Sequence, residues 1–209
     1  MPPVTLLFVC TANLCRSPLA AALADTTLAD VSHVRVLSAG TRGVDGRPLP
    51  PATVDTARTL GLRIPDTSRA LTVDAVREAD LVLGMTRTHR RDVVRLDRSA
   101  NRKVFTLLEF ARVVDVLARR TDEAAADPDR ADGASETDGA LRLRTWLDEA
   151  ALFRGLAPRA LTPDEDDVTD PFPAPERLFG RTLAEMTPAL DRVTSAIVRQ
   201  GGQDHRLAA

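Results

Sequence analysis

The stretch Val-Thr-Leu-Leu-Phe-Val-Cys-Thr-Ala-Asn-Leu-Cys-Arg-Ser-Pro, residues 4–18, contains the strongest fold signal in the sequence. Residues 4–9 are a continuous apolar run, which is typical of a strand buried on both faces of a sheet. Ser17 and Pro18 then form a helix-start signal, because Ser caps helix N-termini and Pro fits the first helical turn. A buried strand, a short polar turn and a helix are therefore predicted in immediate succession.

The same alternation of strand and helix continues along the chain. Further strands are predicted at residues 33–39, 81–85 and 103–107, and helices at 19–28, 52–60, 72–79, 88–96 and 108–120. This alternation with short loops predicts an α/β fold in which a parallel sheet has helices on both faces. Because ligands bind at the carboxyl ends of the strands in such folds, the turn after the first strand is the expected site.

Residues 121–164 differ in composition from the rest of the chain. Residues 122–139 are rich in Asp, Glu, Ala and Gly and are predicted to be a flexible linker. A helical pattern returns at 141–153, with one apolar face formed by Leu143, Trp146, Leu147 and Ala150. A last amphipathic helix is predicted at 176–199. We therefore predict one domain, residues 1–209, with a partly helical insertion at about 121–164.

The overall composition excludes several classes of protein. The 209 residues are 44% apolar and 28% charged, as in a globular domain, and no apolar run could span a membrane. The net charge of −2 gives no general attraction to nucleic acid or to an anionic membrane. Two cysteines are too few for a disulfide scaffold, which predicts a cytoplasmic protein. The three histidines match no metal-ligand spacing, so no metal is expected, and each is predicted at the surface or a helix end: His33, His89 and His205.

Cys10 and Arg16 enclose a turn that is suited to phosphate chemistry. The loop is short enough for its N–H groups to converge on one point, helped by the positive end of the helix. Arg16 offers a planar fork for two phosphate oxygens, and the Cys10 thiolate is placed for in-line attack at phosphorus. The Ser17 hydroxyl could hydrogen-bond the thiolate, cap the helix, or do both. The alternative is that Cys10 is a buried packing residue and Arg16 a surface charge.

Attack at phosphorus expels an alkoxide or phenoxide, which requires a general acid. Asp170 is the best candidate, because Pro171 restricts it to an extended conformation that presents its carboxyl group from a loop. Taken alone, an Asp-Pro pair is more often a simple turn.

Together these segments resemble the low-molecular-weight protein tyrosine phosphatase family. The similar segments are Phe-Val-Cys-Thr-Ala-Asn-Leu-Cys-Arg-Ser-Pro at 8–18, Ser-Ala-Gly-Thr at 38–41, Ser-Arg-Ala-Leu-Thr at 68–72, Asp-Leu-Val-Leu-Gly-Met at 80–85 and Asp-Pro-Phe at 170–172. The resemblance implies a flavodoxin-like three-layer sandwich with four parallel strands in the order 2-1-3-4. It also implies a phosphocysteine at Cys10, with Arg16 binding phosphate throughout, Asp170 acting first as acid and then as base, and no cofactor.

The resemblance further implies roles for the residues around the turn. The phosphate-binding residues would be Thr11, Ala12, Asn13, Leu14, Cys15, Arg16 and Ser17. A supporting network would join Asn13, in a left-handed conformation, to Ser17 and Ser38. The substrate wall would be formed by Leu14, Val44 and Phe172. Cys15 would be a redox partner of Cys10, and the alternative is a small packing residue.

The resemblance also implies a substrate class. Leu14 favours phosphotyrosine, because the phosphoarginine-hydrolysing branch typically has Thr at that position. The expected partners are a phosphotyrosine-containing protein or a small aryl phosphate, and the expected state is a monomer or weak homodimer. The insert helix at 141–153 is hypothesised to pack near the active-site mouth and shape access.

Two other functions remain open from the sequence. A thioredoxin-coupled arsenate reductase of the same fold would need further cysteines, and none follows Cys15. A catalytically silent phosphoprotein-binding module would need neither the thiol nor the acid.

Overall fold

The structure, a computed structural model, describes residues 1–125, 138–172 and 175–202. Within these residues the strands are β1 (Val4–Cys10), β2 (Val34–Gly40), β3 (Leu81–Gly84) and β4 (Val104–Thr106). The α-helices of the same residues are α1 (Arg16–Thr27), α2 (Pro51–Thr59), α3 (Val73–Glu78), α4 (Arg87–Leu96), α5 (Leu107–Ala125), α6 (Gly139–Phe153) and α7 (Pro175–Gly201). None of the helices that the structure describes is both long and apolar enough to cross a bilayer.

The four strands form one parallel sheet in the order β2-β1-β3-β4, which confirms the predicted topology. Cys10 pairs with Gly40 of β2, and Val9 pairs with Gly84 of β3. The register therefore brings the carboxyl ends of the three strands to one edge, with Cys10 between its two neighbours. This is the edge at which α/β folds bind their ligands.

Helices cover both faces of the sheet, as predicted. Successive side chains of β1 point to opposite faces. Leu6 and Phe8 belong to the apolar cluster that includes buried residues of α1, α5, α6 and α7. Leu7 and Val9 belong to a smaller cluster with buried residues of α3 and α4. Burial on both faces explains why residues 4–9 are continuously apolar rather than alternating.

The predicted start of α1 is wrong by two residues. The helix begins at Arg16, and Ser17 is not its N-cap: Cys15 occupies the cap position without a capping side-chain hydrogen bond. The reason is that the Ser17 hydroxyl points at Cys10 instead. Of the two roles left open for Ser17, the structure shows only the contact with the thiol.

The insertion contains the predicted helix. In α6 the buried residues include all four of the predicted apolar face, whereas residues 126–137 of the predicted linker lie outside the described residues. The guanidinium of Arg144 bonds the Asp80 carboxylate and the carbonyls of Pro2 and Pro3. These partners precede β3 and β1, so the first half of α6 packs toward the amino ends of the strands. The hypothesis that this helix shapes the active-site mouth stays a prediction.

Candidate active site

The turn between β1 and α1 holds a buried thiol. Cys10 is only 3% exposed, and the Ser17 hydroxyl, 3.0 Å from its sulfur, donates a hydrogen bond to it. In the described part of the chain, the N–H groups of residues 11–15 donate no hydrogen bond to protein atoms. Buried or half-buried amides of this kind are costly unless they find acceptors. The loop therefore offers a row of donors to an anion beside the sulfur.

Asn13 holds the loop in shape. Its φ of 55° lies in the left-handed region, which Asn tolerates better than most residues. Its amide nitrogen donates to the hydroxyls of Ser17 and Ser38, both at 2.9 Å, and its carbonyl oxygen accepts from the N–H of Arg69 at 2.8 Å. One buried side chain therefore ties the loop to α1, to β2 and to the segment after α2.

Gly40 allows β2 to pass close beneath the loop. A Cβ atom at this position would lie 2.7 Å from the carbonyl carbon of Ala12 and 2.7 Å from the nitrogen of Asn13. The strand direction continues past Gly40, since the N–H of Thr41 donates to the Cys10 carbonyl and that of Arg42 to the Thr11 carbonyl. Only a residue without a side chain fits between these backbones.

Arg16 and Asp170 meet across 154 residues of sequence. Nη2 of Arg16 lies 2.6 Å from a carboxylate oxygen of Asp170, and Nη1 donates to the Val168 carbonyl at 3.2 Å. The Arg16 side chain is almost fully buried, whereas that of Asp170 is 49% exposed. The Arg16 guanidinium is thus buried and fixed by two acceptors, and the Asp170 carboxylate beside it is half exposed to solvent.

The loop that carries Asp170 is anchored on both sides. The Val168 N–H donates to the carbonyl of Met85 at the end of β3. Thr169 donates to Glu185 of α7 through both its N–H and its hydroxyl. The second Asp170 oxygen accepts from the N–H of Phe172, a short turn that follows from the Asp-Pro-Phe sequence. These bonds place the carboxylate independently of its contact with Arg16.

His89 is a site residue that sequence reasoning missed. It lies at a helix end, in the first turn of α4, which is one of the two predicted positions, but it is buried, with Nε2 2.9 Å from the Thr11 hydroxyl and Nδ1 2.9 Å from that of Thr86. Burial, and after it the charge of Arg16, lowers the pKa of His89 to about 4. The Thr86-Arg-Thr-His89 spacing, with Thr86 as N-cap, is the sequence signal that could have found it.

Comparison with known proteins identifies the family. The family model described as low molecular weight phosphotyrosine protein phosphatase matches residues 5–136, which is more than half of the chain. The chain belongs to this family.

Its relatives include two kinds of phosphatase. A probable low molecular weight protein-tyrosine-phosphatase, EpsP of Ralstonia solanacearum, is 37% identical over 107 residues, 51% of this chain and 72% of the relative. A protein-arginine-phosphatase of Geobacillus stearothermophilus is 34% identical over 113 residues, 54% of this chain and 75% of the relative. Membership of the phosphatase family therefore leaves the phosphorylated residue undecided.

Solved structures of the family share the fold. The YwlE arginine phosphatase from Geobacillus stearothermophilus superposes with a TM-score of 0.64 at 23% identity, over 94% of each chain. The tyrosine phosphatase Wzb from Escherichia coli, in complex with sulphate, gives 0.59 at 18% identity, over 91% of this chain and 96% of the other. Identities this low support the flavodoxin-like architecture and nothing finer.

In this phosphatase a cavity of about 780 Å³ opens beside Arg16 and Asp170. Its lining is acidic, because four carboxylates in addition to Asp170 face two guanidinium groups. The residues that carry these charges are Asp164, Glu165, Asp167, Glu185, Arg16 and Arg181. The segment after α6, not α6 itself, supplies Asp164, Glu165 and Asp167. The insertion thus reaches the cavity through its last residues.

The predicted substrate wall is only partly near this cavity. Leu14 is buried within the loop, whereas Val44 is 62% and Phe172 44% exposed. None of the three lines the cavity, whose large apolar residue is Leu108. Phe172 follows Asp170 by two residues and donates its N–H to that carboxylate, while the Val44 carbonyl accepts from the Ser68 hydroxyl. The role of these three residues as a wall stays a prediction.

Cys15, the last residue of the loop after β1, is buried as a free thiol, and Cys10 is also free. Burial raises the pKa of Cys15 to about 12, against a smaller lowering by the nearby Thr53 hydroxyl. The nearby Cys10 raises the pKa of Cys15 further. The two sulfurs are close enough to influence one another, and the redox partnership stays a prediction.

Proposed function

We propose that this phosphatase hydrolyses phosphotyrosine or other aryl phosphate monoesters through a phosphocysteine formed on Cys10. The observation that carries the proposal is the meeting of Arg16 with Asp170 beside a loop whose hydroxyl at Ser17 donates to the Cys10 sulfur. Cys10 as the nucleophile, Arg16 as the ligand of the phosphate oxygens and Asp170 as the proton donor would thus act around the same loop. Asp170 lies outside the residues that match the family model, so its placement is independent support.

The first step transfers the phosphoryl group to sulfur. The Cys10 thiolate attacks phosphorus, an S–P bond forms, and the bond between phosphorus and the leaving oxygen breaks. The loop N–H groups and the Arg16 guanidinium stabilise the equatorial oxygens. Phosphate competes with Asp170 for Arg16, so substrate binding releases the carboxyl group toward the leaving oxygen, which it protonates.

The second step regenerates the enzyme. Asp170, now a carboxylate, accepts a proton from water as the water oxygen attacks phosphorus and the S–P bond breaks. The Ser17 hydroxyl stabilises the departing thiolate through its hydrogen bond to sulfur. No step requires a group from outside the chain other than water.

Phosphoarginine is the second candidate substrate, favoured by a specific observation. The cavity beside Asp170 has more carboxylates than cations, which suits a guanidinium leaving group better than a neutral phenol. Leu14 favours phosphotyrosine, as the family resemblance implies, and the exposed ring of Phe172, two residues after Asp170, could contact an aryl group. We propose the aryl ester as the substrate, in a phosphoprotein of the reducing cytoplasm, where Cys10 stays a free thiol.

Hydrolysis of p-nitrophenyl phosphate by three forms of the protein tests the mechanism. Cys10→Ser should abolish turnover, and Asp170→Ala should lower kcat by roughly two to four orders of magnitude. Asp170→Asn keeps the shape of the side chain but removes both its proton chemistry and its charge beside Arg16, and should lower kcat by a similar factor. Near-normal turnover by Cys10→Ser would refute the covalent mechanism.

A pair of peptides separates the two substrate classes. Initial rates are measured on one peptide sequence that carries either phosphotyrosine or phosphoarginine, with a phosphoserine version as a blank. A higher kcat/KM for phosphotyrosine supports the proposal, and a preference for phosphoarginine overturns the substrate while leaving the mechanism intact.

A further inference from the structure

Thr11, the first residue after Cys10, is bonded through its side chain to helix α4. Thr11 directly follows Cys10, and its hydroxyl lies 2.9 Å from Nε2 of His89. His89 is 3% exposed and sits in the first turn of α4, which follows β3. Asn13 holds the other side of the loop from β2 and from Arg69. The loop is therefore fixed from two sides.

Both ring nitrogens of His89 have hydroxyl partners. Nδ1 lies 2.9 Å from the Thr86 hydroxyl, which also accepts from the His89 backbone N–H at 3.3 Å, and Nε2 lies 2.9 Å from the Thr11 hydroxyl. Because each hydroxyl can donate or accept, both nitrogens are satisfied in either neutral tautomer. The low pKa of His89, about 4, keeps the imidazole neutral at the pH of ordinary assays.

The position of the Thr11 hydroxyl matters because of what its backbone does. The Thr11 N–H is the first of the loop amides, and the carbonyl of the same peptide group, that of Cys10, accepts from the N–H of Thr41 at 2.9 Å. A side chain anchored to α4 and a carbonyl anchored past β2 leave this peptide little freedom to rotate. Amides that are already oriented lose little free energy when they bind an oxyanion.

We propose that His89 is a positioning residue for catalysis: through the Thr11 hydroxyl it fixes the first amide of the phosphate-binding loop. The inference rests on the proposed function, because it concerns the same phosphate site. It predicts that the hydrogen bond at Nε2, rather than the bulk of the ring, is what the reaction needs. Thr86 in turn holds the ring in place through Nδ1.

Two substitutions of His89 separate the hydrogen bond from the ring. The terminal amide of Gln reaches about as far as Nε2, so His89→Gln keeps a hydrogen-bond partner for Thr11. Asn reaches only as far as Nδ1, so His89→Asn keeps the partner of Thr86 and loses that of Thr11. Thr11→Val removes the hydroxyl with little change of shape, and Thr145→Val on α6 is the matched control away from the site.

The measurements are kcat and KM for p-nitrophenyl phosphate, the inhibition constant of inorganic phosphate, and the thermal midpoint of each variant. His89→Asn and Thr11→Val should each lower kcat/KM by about tenfold to a hundredfold, the effect of a small misplacement at a reacting centre. Their inhibition constants for phosphate should rise. The kcat/KM of His89→Gln and of Thr145→Val should stay within about threefold of that of the natural protein. The double variant that combines His89→Asn with Thr11→Val should lose no more kcat/KM than either single variant.

The outcomes separate this inference from the proposed function. If the natural protein does not turn over p-nitrophenyl phosphate, the proposed function fails first. If it does, three results overturn the role of His89: unchanged kinetics in folded Thr11→Val, equal losses in the Gln and Asn variants, or additive losses in the double variant. Thr11→Val keeps the question answerable even if His89→Asn does not fold. A lower thermal midpoint with normal kinetics would show a purely structural histidine and would also overturn the inference.

Discussion

Replacing Gly40 by Ala tests whether the close approach of β2 sets the shape of the nucleophile loop. The new Cβ atom would lie 2.7 Å from two backbone atoms of the loop, in Ala12 and Asn13, and 2.8 Å from the Thr11 carbonyl oxygen. Ordinary contact begins near 3.4 Å. All three neighbours are backbone atoms, so no side chain can rotate away, and the loop itself must move by about 0.7 Å.

This displacement gives the expected magnitude. A misplacement of about 1 Å at a reacting centre costs up to about a hundredfold in rate, so we expect kcat/KM of Gly40→Ala to fall by about thirtyfold to a hundredfold. The overpacking should lower the free energy of unfolding by about 1–3 kcal/mol, which leaves the protein folded. The loss of activity should therefore exceed what the loss of stability explains.

The assay combines p-nitrophenyl phosphate kinetics with urea unfolding followed by circular dichroism. Gly155→Ala is the matched control, because a Cβ atom at Gly155 meets nothing within 4 Å. It should keep both its kcat/KM and its unfolding midpoint close to those of the natural protein. A folded Gly40→Ala variant with kcat/KM within twofold of the natural protein would refute the reasoning.

Three further predictions concern other parts of the molecule. Because burial raises the pKa of Cys15 to about 12, its thiol should stay protonated between pH 6 and pH 9. Mass spectrometry after iodoacetamide treatment of the native protein should therefore find Cys10 alkylated and Cys15 unmodified. Equal labelling of the two cysteines would contradict this prediction. Arg144→Met should lower the free energy of unfolding, measured in urea, by about 1–2 kcal/mol, because the Asp80 carboxylate loses the guanidinium that pairs with it. The substitution should leave kcat/KM unchanged. An altered kcat/KM would show that this part of α6 affects the active site. Phe172→Ala should raise the KM for a phosphotyrosine peptide several-fold and should change the KM for a phosphoarginine peptide less. Equal changes of the two KM values would count against a contact between the Phe172 ring and an aryl substrate.

The parallel sheet agrees with expectation because the local signals agree with one another, whereas the strand order 2-1-3-4 was implied by the family resemblance and is confirmed by the pairing of the strands. A continuous apolar run such as residues 4–9 has few stable environments other than a strand covered on both faces. The apolar face of α6 was predictable for the same reason, since the spacing of Leu143, Trp146 and Leu147 gives a helix one side to bury. The placement of that helix was not predictable, because adjacency to Asp170 in sequence gives no direction in space.

His89 shows why some site residues escape sequence reasoning. A lone histidine among arginines on a polar helix is usually solvated, and the cap at Thr86 marks its place in the first turn of the helix but not its burial. Its environment comes from the loop after β1, which is 78 residues earlier in the chain. Burial of a polar ring is stable only when both nitrogens find partners, and those partners are decided by packing.

The sequence by itself determined the strand–turn–helix unit at residues 4–18, and with it the thiol, the guanidinium and the asparagine at φ 55°. These features depend on neighbours in the chain, where local sterics and hydrogen bonding dominate. Only the tertiary structure decided the meeting of Arg16 with Asp170, the clamp of Thr11 by His89 and the acidic lining of the cavity. Each of these joins distant segments, and their separation is set by the packing of helices on the sheet, which no local pattern specifies.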